Sequence, residues 1–442
     1  MTNRFQIYRL TTAAALAAFV TAFVVEGMCT QTHSSTPAVH GSPHQHFNDI
    51  WEKESLFLSD LVESLAPDSG FTPTVVWMGE GWSNMGGGLK RGWRWNSLLT
   101  LGFEQDLDKL FKTDGLGTVG MSLLYFTSTG DFAEKNVGVL SQPSNIYTVN
   151  GFRFFEIYYT NEFKLSVGTL TLRLGQLAAD EDFMCLEYND IFLNENFGAI
   201  PTSSFIESYK GFTVFSQYPL ATFGMVVNYE LDDWHFRLGF YNGNAGEEKT
   251  SNYGFGYKFD SFTLWYELDY HYKIAEREGV VMFGGNFNNG KFAKHNARDD
   301  DEEDNTTSRN FYSFYVGVRQ NILEDCEGKA ILGAFCRLGW APKTSIAEFT
   351  KYFDAGINWF APIPGRTDDV LALGISAKET ASSFRDAESV TRFDTVLETT
   401  YKARITKAIY LQPTCQMYFN AVDSKGTRHP AAVFGMRATI HF

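Results

Sequence analysis

The chain has 442 residues, a formal net charge of −15 and an aromatic content of 16% that includes 40 Phe and 21 Tyr. This acidity argues against a channel or surface for nucleic acid or phosphate, which would carry clustered Lys and Arg. Beyond the N-terminal segment, no uninterrupted apolar run reaches the roughly 18 residues of a transmembrane helix, so helical membrane spans are not expected. No linker or break in composition follows about residue 70, which favours one large domain.

Residues 1–28 have the pattern of a secretory signal peptide. Arg4 and Arg9 precede an uncharged, apolar run from Leu10 to Val25, which matches the positive region and core of a signal. No sharp small-x-small cleavage site follows, so the cleavage position stays open by several residues. Lipidation of Cys29 is the alternative, but the residues before it lack the aliphatic and small side chains of a lipoprotein signal.

Residues 29–70 are predicted to hold a polar, disordered segment and then one amphipathic helix. Apolar residues between Phe47 and Leu65 recur at roughly helical spacing. We expect this helix to pack on the periplasmic end of a barrel, and a partner-binding arm is the alternative. The histidines of the polar segment have no supporting carboxylates, so no metal site is predicted there.

Strands of roughly 9 to 13 residues follow from about residue 71, the length that a tilted transmembrane strand needs. The clearest runs from Phe262 to Lys273, where Phe, Leu and Tyr alternate with a polar face that carries Glu267 and Asp269. A strand near residue 400 alternates in the same way and places Glu398, Lys402 and Arg404 on its polar face. Such strands suit a wall between lipid and water better than a soluble sandwich.

The last strand also alternates, and it ends on an aromatic residue. From Ala431 onward, Phe434 and Met436 lie on one face and Arg437 on the other, and the chain stops at Phe442. About 16 or 17 strand-like segments can be distinguished, and single-chain bacterial barrels use even numbers. We therefore predict an all-β protein, an antiparallel up-and-down transmembrane β-barrel of 16 strands over residues 71–442.

Two connections between predicted strands are long. Residues 129–150 are rich in Gly, Ser and Asn, and residues 181–223 form an insertion too long for a simple strand connector. We expect the second loop to fold inward and narrow the lumen. The acidic run Asp299–Asp304 is interpreted as a solvated outer loop, with divalent-cation bridging to anionic lipid as the alternative.

Patterns of enzymes are missing from the sequence. It contains no G-x-S-x-G, G-x-x-x-x-G-K-[ST], H-E-x-x-H or EF-hand pattern, and its five cysteines lack metal-like spacing. His235, His271 and His441 fall on polar strand faces, where solvated histidines are expected. We predict no enzymatic activity, no cofactor and no metal site.

The polar strand faces offer Arg, carboxylate, Gln and Trp side chains, a mixture that suits neutral polyols through hydrogen bonds and ring stacking. The alternative is that these side chains only solvate a water-filled lumen. The predicted constriction residues are Arg91, Arg94, Arg173, Gln176 and Asp180. The predicted lumen wall consists of Glu267, Asp269, Glu398, Lys402 and Arg404.

Several sequence blocks occur together along the chain. They are WSNMGGGLKRG at Trp82–Gly92, RLGQLAADEDF at Arg173–Phe183, YPLATFG at Tyr218–Gly224, PGRTDDVLALG at Pro364–Gly374, the pair Glu398 and Tyr401, and LQPxxQ at Leu411–Gln416. In this order they resemble the OprB-type carbohydrate-selective porins from about residue 77 to Phe442. The chain departs from that pattern at Phe223, at Cys185 and Glu187, and in the acidic run.

The resemblance implies a sixteen-stranded outer-membrane barrel of a diderm bacterium through which monosaccharides and other small polar solutes diffuse. It also implies that the barrel-assembly machinery recognises the C-terminal Phe442. Carbohydrate solutes and outer-membrane lipids are the expected partners. A general porin without sugar preference and a structural or adhesive surface barrel stay open as alternatives, and a soluble sugar-binding β protein is the remaining one.

Overall fold

The computed structural model describes residues 55–206, 215–297 and 306–442. The predicted signal peptide (residues 1–28), most of the following polar segment and the acidic run Asp299–Asp304 lie outside the described residues. The statements below refer to the described ranges.

The described residues form sixteen β-strands. These are β1 (Phe71–Gly86), β2 (Gly92–Asp106), β3 (Thr118–Ser128), β4 (Gly151–Lys164), β5 (Thr169–Leu177), β6 (Thr222–Leu231), β7 (Trp234–Asn242), β8 (Phe262–Ile274), β9 (Arg277–Ala293), β10 (Thr307–Glu324), β11 (Ala330–Trp340), β12 (Phe349–Phe360), β13 (Val370–Thr380), β14 (Phe393–Arg404), β15 (Ile409–Val422) and β16 (Arg428–His441). The short helices are α1 (Leu58–Leu65), α2 (Leu107–Phe111), α3 (Pro201–Ser204) and α4 (Ser382–Glu388).

Each strand pairs antiparallel with its neighbours in sequence, and β1 pairs with β16 to close the barrel. In this closing pair Val76 lies opposite His441 and Glu80 lies opposite Arg437. Closure leaves no strand edge, which is the condition for a β structure in lipid. The prediction of a sixteen-stranded antiparallel barrel is confirmed.

Long and short connections lie at opposite ends of the barrel. One end carries the loops 129–150, 178–221 and 243–261, and the other carries two-residue turns such as 232–233 and 275–276. Because barrels of this type have short periplasmic turns and longer extracellular loops, the long-loop end is the extracellular one. None of the helices in the described part of the chain has the length and apolar character needed to span a bilayer.

The two faces of each strand differ sharply in exposure. On β7, Phe236, Leu238 and Phe240 are 44%, 51% and 50% exposed, whereas Arg237 between them is 6% exposed. An outer surface of exposed apolar side chains and an inner surface of polar ones is the arrangement that a lipid-embedded barrel requires. The alternation along β7 therefore separates a lipid-facing surface from an inner surface.

The N-terminal helix α1 lies at the periplasmic end, beside the start of β1. The backbone N–H of Leu56 donates to the carbonyl of His441 at 3.0 Å, which ties the helix to the last strand. The helix is shorter than the predicted apolar segment, which begins at Phe47. The first part of that segment lies outside the described residues.

The buried apolar side chains lie inside the barrel, around the loop between β5 and β6. Phe183, Tyr188, Phe192 and Phe197 of this loop are 0 to 3% exposed and contact apolar side chains of the inner wall. A transmembrane barrel faces lipid outside, so its only place for a conventional core is the lumen. Here the described part of loop 178–221 supplies about a third of the buried residues of that core.

Loop 243–261 fills a gap in the barrel wall where loop 178–221 turns inward. Pairing of β4 with β5 ends at Ile157 opposite Gln176, so the upper half of β4 lacks a neighbouring strand on that side. Loop 243–261 fills this place, and the N–H of Phe154 donates to the carbonyl of Tyr253 at 3.0 Å. This role of loop 243–261 was not predicted from the sequence.

Candidate channel constriction

Loop 178–221 rests against glycines of the inner wall. A Cβ atom built at Gly333 would lie 2.2 Å from the ring of Tyr188, and one at Gly374 would lie 2.7 Å from the ring of Phe192. Such distances are shorter than any ordinary carbon contact, so the ring and a larger residue cannot occupy the same place. The wall glycines that contact this loop in the same way are Gly239, Gly317, Gly333, Gly339, Gly356 and Gly374.

Two buried carboxylates of the wall accept hydrogen bonds from backbone N–H groups of the loop. Glu398 accepts hydrogen bonds from the N–H groups of Leu193 and Asn194 at 2.7 and 2.9 Å. Glu267 accepts one from the N–H of Met184 at 2.7 Å. A buried carboxylate needs several donors to offset its lost hydration, and the loop provides them.

Two buried arginines of the wall donate hydrogen bonds to backbone carbonyl groups of the same loop. Arg337, which is 0% exposed, donates to the carbonyls of Met184, Phe197 and Gly198 at 3.0, 2.7 and 2.9 Å. Its charge is balanced by Asp354 at 2.7 Å. Arg237 donates to the carbonyl of Asp182 at 2.7 Å in a similar way. Wall charges of both signs therefore bind the backbone of the loop.

Arg173 also binds this loop. Its guanidinium contacts the Asp182 carboxylate at 2.8 and 2.9 Å and that of Glu156 at 3.3 Å, and it stacks over the ring of Tyr158 at 4.6 Å. With two carboxylates and a ring around it, the guanidinium has little capacity left for a solute. The structure revises its predicted role from solute contact to anchor of the loop.

Gln176 lies at the end of β5 and Asp180 at the start of the loop, and both form hydrogen bonds to backbone groups. Gln176 donates from its side-chain amide to the carbonyls of Phe154 and Phe155 at 2.9 and 2.7 Å, where β4 has lost its partner strand. Asp180 accepts the N–H of Tyr218 at 3.0 Å, and burial raises the pKa of its carboxyl group to about 7. Gln176 is thus part of the wall, while Asp180 keeps some exposure on the loop.

Arg91 and Arg94 lie apart from this group. Arg91 is exposed in the extracellular turn between β1 and β2, which corrects its predicted place in the constriction. Arg94 lies on β2 opposite the buried Trp82, on the inner face and half-buried. Within the described residues its Nε atom has no hydrogen-bond partner. Of the three arginines predicted in the constriction, Arg94 is the one that lies half-buried on the inner face and forms no ion pair among the described residues.

The predicted wall residues fall into two groups. Glu267 and Glu398 are 4% and 0% exposed and lie under the loop, so their predicted exposure to the lumen is corrected. Asp269 is 8% exposed and pairs with Arg237 at 2.7 Å. Lys402 and Arg404 lie near the periplasmic rim beside the ring of Tyr410, and their place in the lumen wall stays a prediction.

Loop 129–150 joins loop 178–221 inside the barrel. The N–H of Asn145 donates to the carbonyl of Leu193 at 2.7 Å, and the hydroxyl of Tyr218 donates to the carbonyl of Ile146 at 3.1 Å. Asn196 and Ser141 form a further bond at 2.8 Å. The two loops therefore form one connected structure across the lumen.

The described part of loop 178–221 is acidic. From Leu174 to Ile206 the chain has no Lys or Arg, but it has six carboxylates: Asp180, Glu181, Asp182, Glu187, Asp190 and Glu195. Wall cations pair with some of them, as Arg319 does with Glu187 at 3.1 Å and Lys378 with Glu195 at 3.8 Å. Burial raises the pKa of Glu195 to about 7. Asp180 has no cation within ion-pair distance among the described residues.

The arrangement of a closed lipid-facing barrel with inward loops defines an outer-membrane diffusion channel, that is, a porin. The family model described as "Carbohydrate-selective porin, OprB family" matches residues 90–442, so the chain belongs to the OprB family of carbohydrate-selective porins. No curated protein sequence matches the chain.

Solved structures share the fold. The high-pH structure of Pseudomonas putida OprB has a TM-score of 0.74 at 15% identity, covering 89% of this chain and 100% of that one. The low-pH structure of the same protein has a TM-score of 0.55 at 14% identity, covering 88% and 100%. These likenesses confirm the predicted fold, and the family match confirms the predicted family.

Proposed function

We propose that this chain is a passive channel through which monosaccharides and similar small polar solutes cross the outer membrane. The supporting observation is the connected pair of loops 129–150 and 178–221, held inside a barrel of a carbohydrate-selective family. Passage then depends on size and on weak hydrogen bonds with the loop surfaces, so that a solute enters and leaves readily. Arg94 and Asp180 are proposed to contact the solute.

Liposome swelling tests this function. Vesicles that contain the refolded barrel should swell with glucose faster than with a disaccharide or with a non-sugar solute of glucose's size. Equal rates for glucose and the non-sugar solute would favour a general porin. No swelling with any solute would favour a structural or adhesive barrel. Vesicles with heat-denatured protein are the control.

We further propose the division into a signal peptide (residues 1–28), an N-terminal segment with α1 (29–70) and the barrel (71–442). The exposed apolar side chains of the strands, such as Leu238 at 51%, are proposed to contact outer-membrane lipid. Phe442 is proposed to be recognised by the barrel-assembly machinery. Pulse-chase export assays and cross-linking from position 442 would test these two roles.

A further inference from the structure

We propose that His235 and His271 form a binding site for a divalent transition metal of the Cu²⁺ or Zn²⁺ type, on the inner wall of the barrel near its periplasmic end. The sequence predicts both histidines as solvated side chains of polar strand faces. In the structure their imidazole rings lie against each other, with centroids 4.3 Å apart and ring planes inclined by 40°. Imidazole nitrogen is a common protein ligand of these metals.

The strand register explains why the two rings meet. His235 lies on β7 directly opposite Asp269 of β8, and His271 is two residues further along β8 on the same face. Side chains at such diagonal positions of neighbouring antiparallel strands are within reach of each other. The N–H of His271 donates to the carbonyl of Asp233 at 2.8 Å, which ties β8 to the turn that precedes His235. The backbone therefore holds the two imidazoles together before any metal binds.

The separation of the rings fits coordination of one ion by both imidazoles. A histidine nitrogen lies about 2.0 to 2.1 Å from a bound Zn²⁺, which places the ring centre about 3.2 Å from the metal, and two such ligands at roughly a right angle have ring centres about 4.5 Å apart. The observed 4.3 Å is close to this value. Within the described ranges, no three or more His, Cys, Asp or Glu side chains are grouped so that they could hold a metal ion. The proposed ligands are therefore the two imidazoles, with water at the remaining positions.

Carboxylates flank the two imidazoles and are placed to bind metal-bound water. Glu230 of β6 and Asp269 of β8 lie directly opposite His235, one on each side. Asp269 is 8% exposed, and its Oδ2 accepts a hydrogen bond from Arg237 at 2.7 Å, whereas its Oδ1 has no hydrogen-bond partner among the described residues. A buried carboxylate oxygen without a donor is costly, and water on the metal would supply that donor.

The charges around the pair favour a cation. Arg319 acts electrostatically on the ring of His271, but it pairs with Glu187 at 3.1 Å. Arg237 pairs with two carboxylates of β8. Asp233, at the periplasmic turn, adds negative charge close to the same ring. Because the two arginines are balanced by carboxylates, a bound divalent ion meets an excess of negative charge.

Copper binding to the purified, folded barrel tests the inference. In every protein of the test the four histidines of the N-terminal polar segment are replaced by glutamine, because they could bind copper on their own; they are His33, His40, His44 and His46. Isothermal titration calorimetry of this parent protein should show one Cu²⁺ site per barrel, and His235→Gln or His271→Gln should weaken the binding by roughly tenfold or more. His429→Gln is the matched control, because His429 is exposed at the extracellular end, and it should bind Cu²⁺ like the parent.

Electron paramagnetic resonance of the Cu²⁺ complex supplies a second measurement that needs no variant. The parent spectrum should show coupling to two imidazole nitrogens, and that of either variant should show coupling to one. Heat-modifiable mobility identifies the barrels that are folded. A folded parent that binds no Cu²⁺ or shows fewer than two coupled nitrogens, or a folded variant with the affinity of the parent, would overturn the inference. None of these results depends on solute passage, so a failure of the proposed function would be detected separately by liposome swelling.

Discussion

Glu80 and Arg437 form a buried ion pair across the seam where the first and last strands meet. Arg437 Nε lies 2.5 Å from Glu80 Oε1, and the two residues are directly opposite in the β1 and β16 register. The other oxygen of Glu80 accepts the hydroxyl of Ser144 at 2.5 Å, so loop 129–150 joins the same pair. One carboxylate therefore contacts both the closing strand β16 and the inward loop 129–150.

We expect Arg437→Met to destabilise the barrel by about 3 to 5 kcal/mol, because the Glu80 carboxylate would stay buried without a cation and would keep only the hydrogen bonds from Trp82 and Ser144. Urea unfolding followed by heat-modifiable mobility measures this. Lys351→Met, which breaks the exposed pair with Glu379, is the control and should cost at most about 1 kcal/mol. Equal midpoints for the two variants would show that the seam pair adds no net stability.

Removal of Phe442 should abolish assembly in the outer membrane while leaving export through the inner membrane intact. The Phe442 N–H donates to the carbonyl of Val75 at 2.9 Å, so this residue also completes the seam with β1. Phe442→Tyr keeps an aromatic terminus and should assemble normally. A heat-modifiable barrel in outer-membrane fractions of the truncated protein would contradict this prediction.

A lysine should be far worse on the outer face of β7 than on its inner face. Leu238→Lys places an ammonium group toward lipid, at a cost of roughly 2 to 4 kcal/mol near the midplane. His235→Lys, on the inner face of the same strand, should fold nearly as well as wild type. The yield of folded barrel in detergent refolding compares the two, and equal yields would mean that the faces have been assigned incorrectly.

The channel should prefer cations over anions, because loop 178–221 carries carboxylates without Lys or Arg over its described part. Reversal potentials in a KCl gradient should show this preference, and Asp190→Asn should reduce it. Asp233→Asn removes an exposed carboxylate from a periplasmic turn and is the matched control. An anion-selective wild type would place these carboxylates away from the ion path.

The stability of the inward loops should fall as pH rises. Burial raises the pKa of Glu195 from the usual 4.5 to about 7, so its favourable contribution is complete below about pH 4.5 and is lost as pH rises through about 7. Thermal unfolding midpoints at pH 5 and pH 8 should differ, with the lower value at pH 8. Glu195→Gln should reduce this difference between the two unfolding midpoints. If the difference stays the same in the variant, other titrating groups cause it.

The alternation of side chains was sufficient to predict the barrel, its strand number and its inner faces. It could not predict that Glu267 and Glu398 are buried, because a charge on an inner face has the same spacing whether water or a loop covers it. The sequence placed Gln176 in the constriction but could not predict its bonds to the carbonyls of Phe154 and Phe155, since these follow from β5 leaving the side of β4. Arg337 lies on the inner face of β11, but its partners are backbone carbonyls more than a hundred residues away.

One usable signal was overlooked. Glycines occupy inner-face positions in three successive strands, at Gly333, Gly356 and Gly374. Small residues at neighbouring positions of adjacent strands leave a groove along the wall, which predicts that another segment lies in it. These glycines therefore predict that an inward segment packs against β11 to β13.

The glycine groove also limits how this channel can be re-engineered. Transplanting loop 178–221 into another barrel would fail wherever the recipient wall carries side chains in place of glycine, since each would occupy the space of a ring such as Tyr188 or Phe192. Placing a loop from another barrel into this one would leave the glycine groove without side chains to fill it. Loop and wall therefore form a single inheritable module, and a chimera with altered solute preference must exchange β11 to β13 together with the loop.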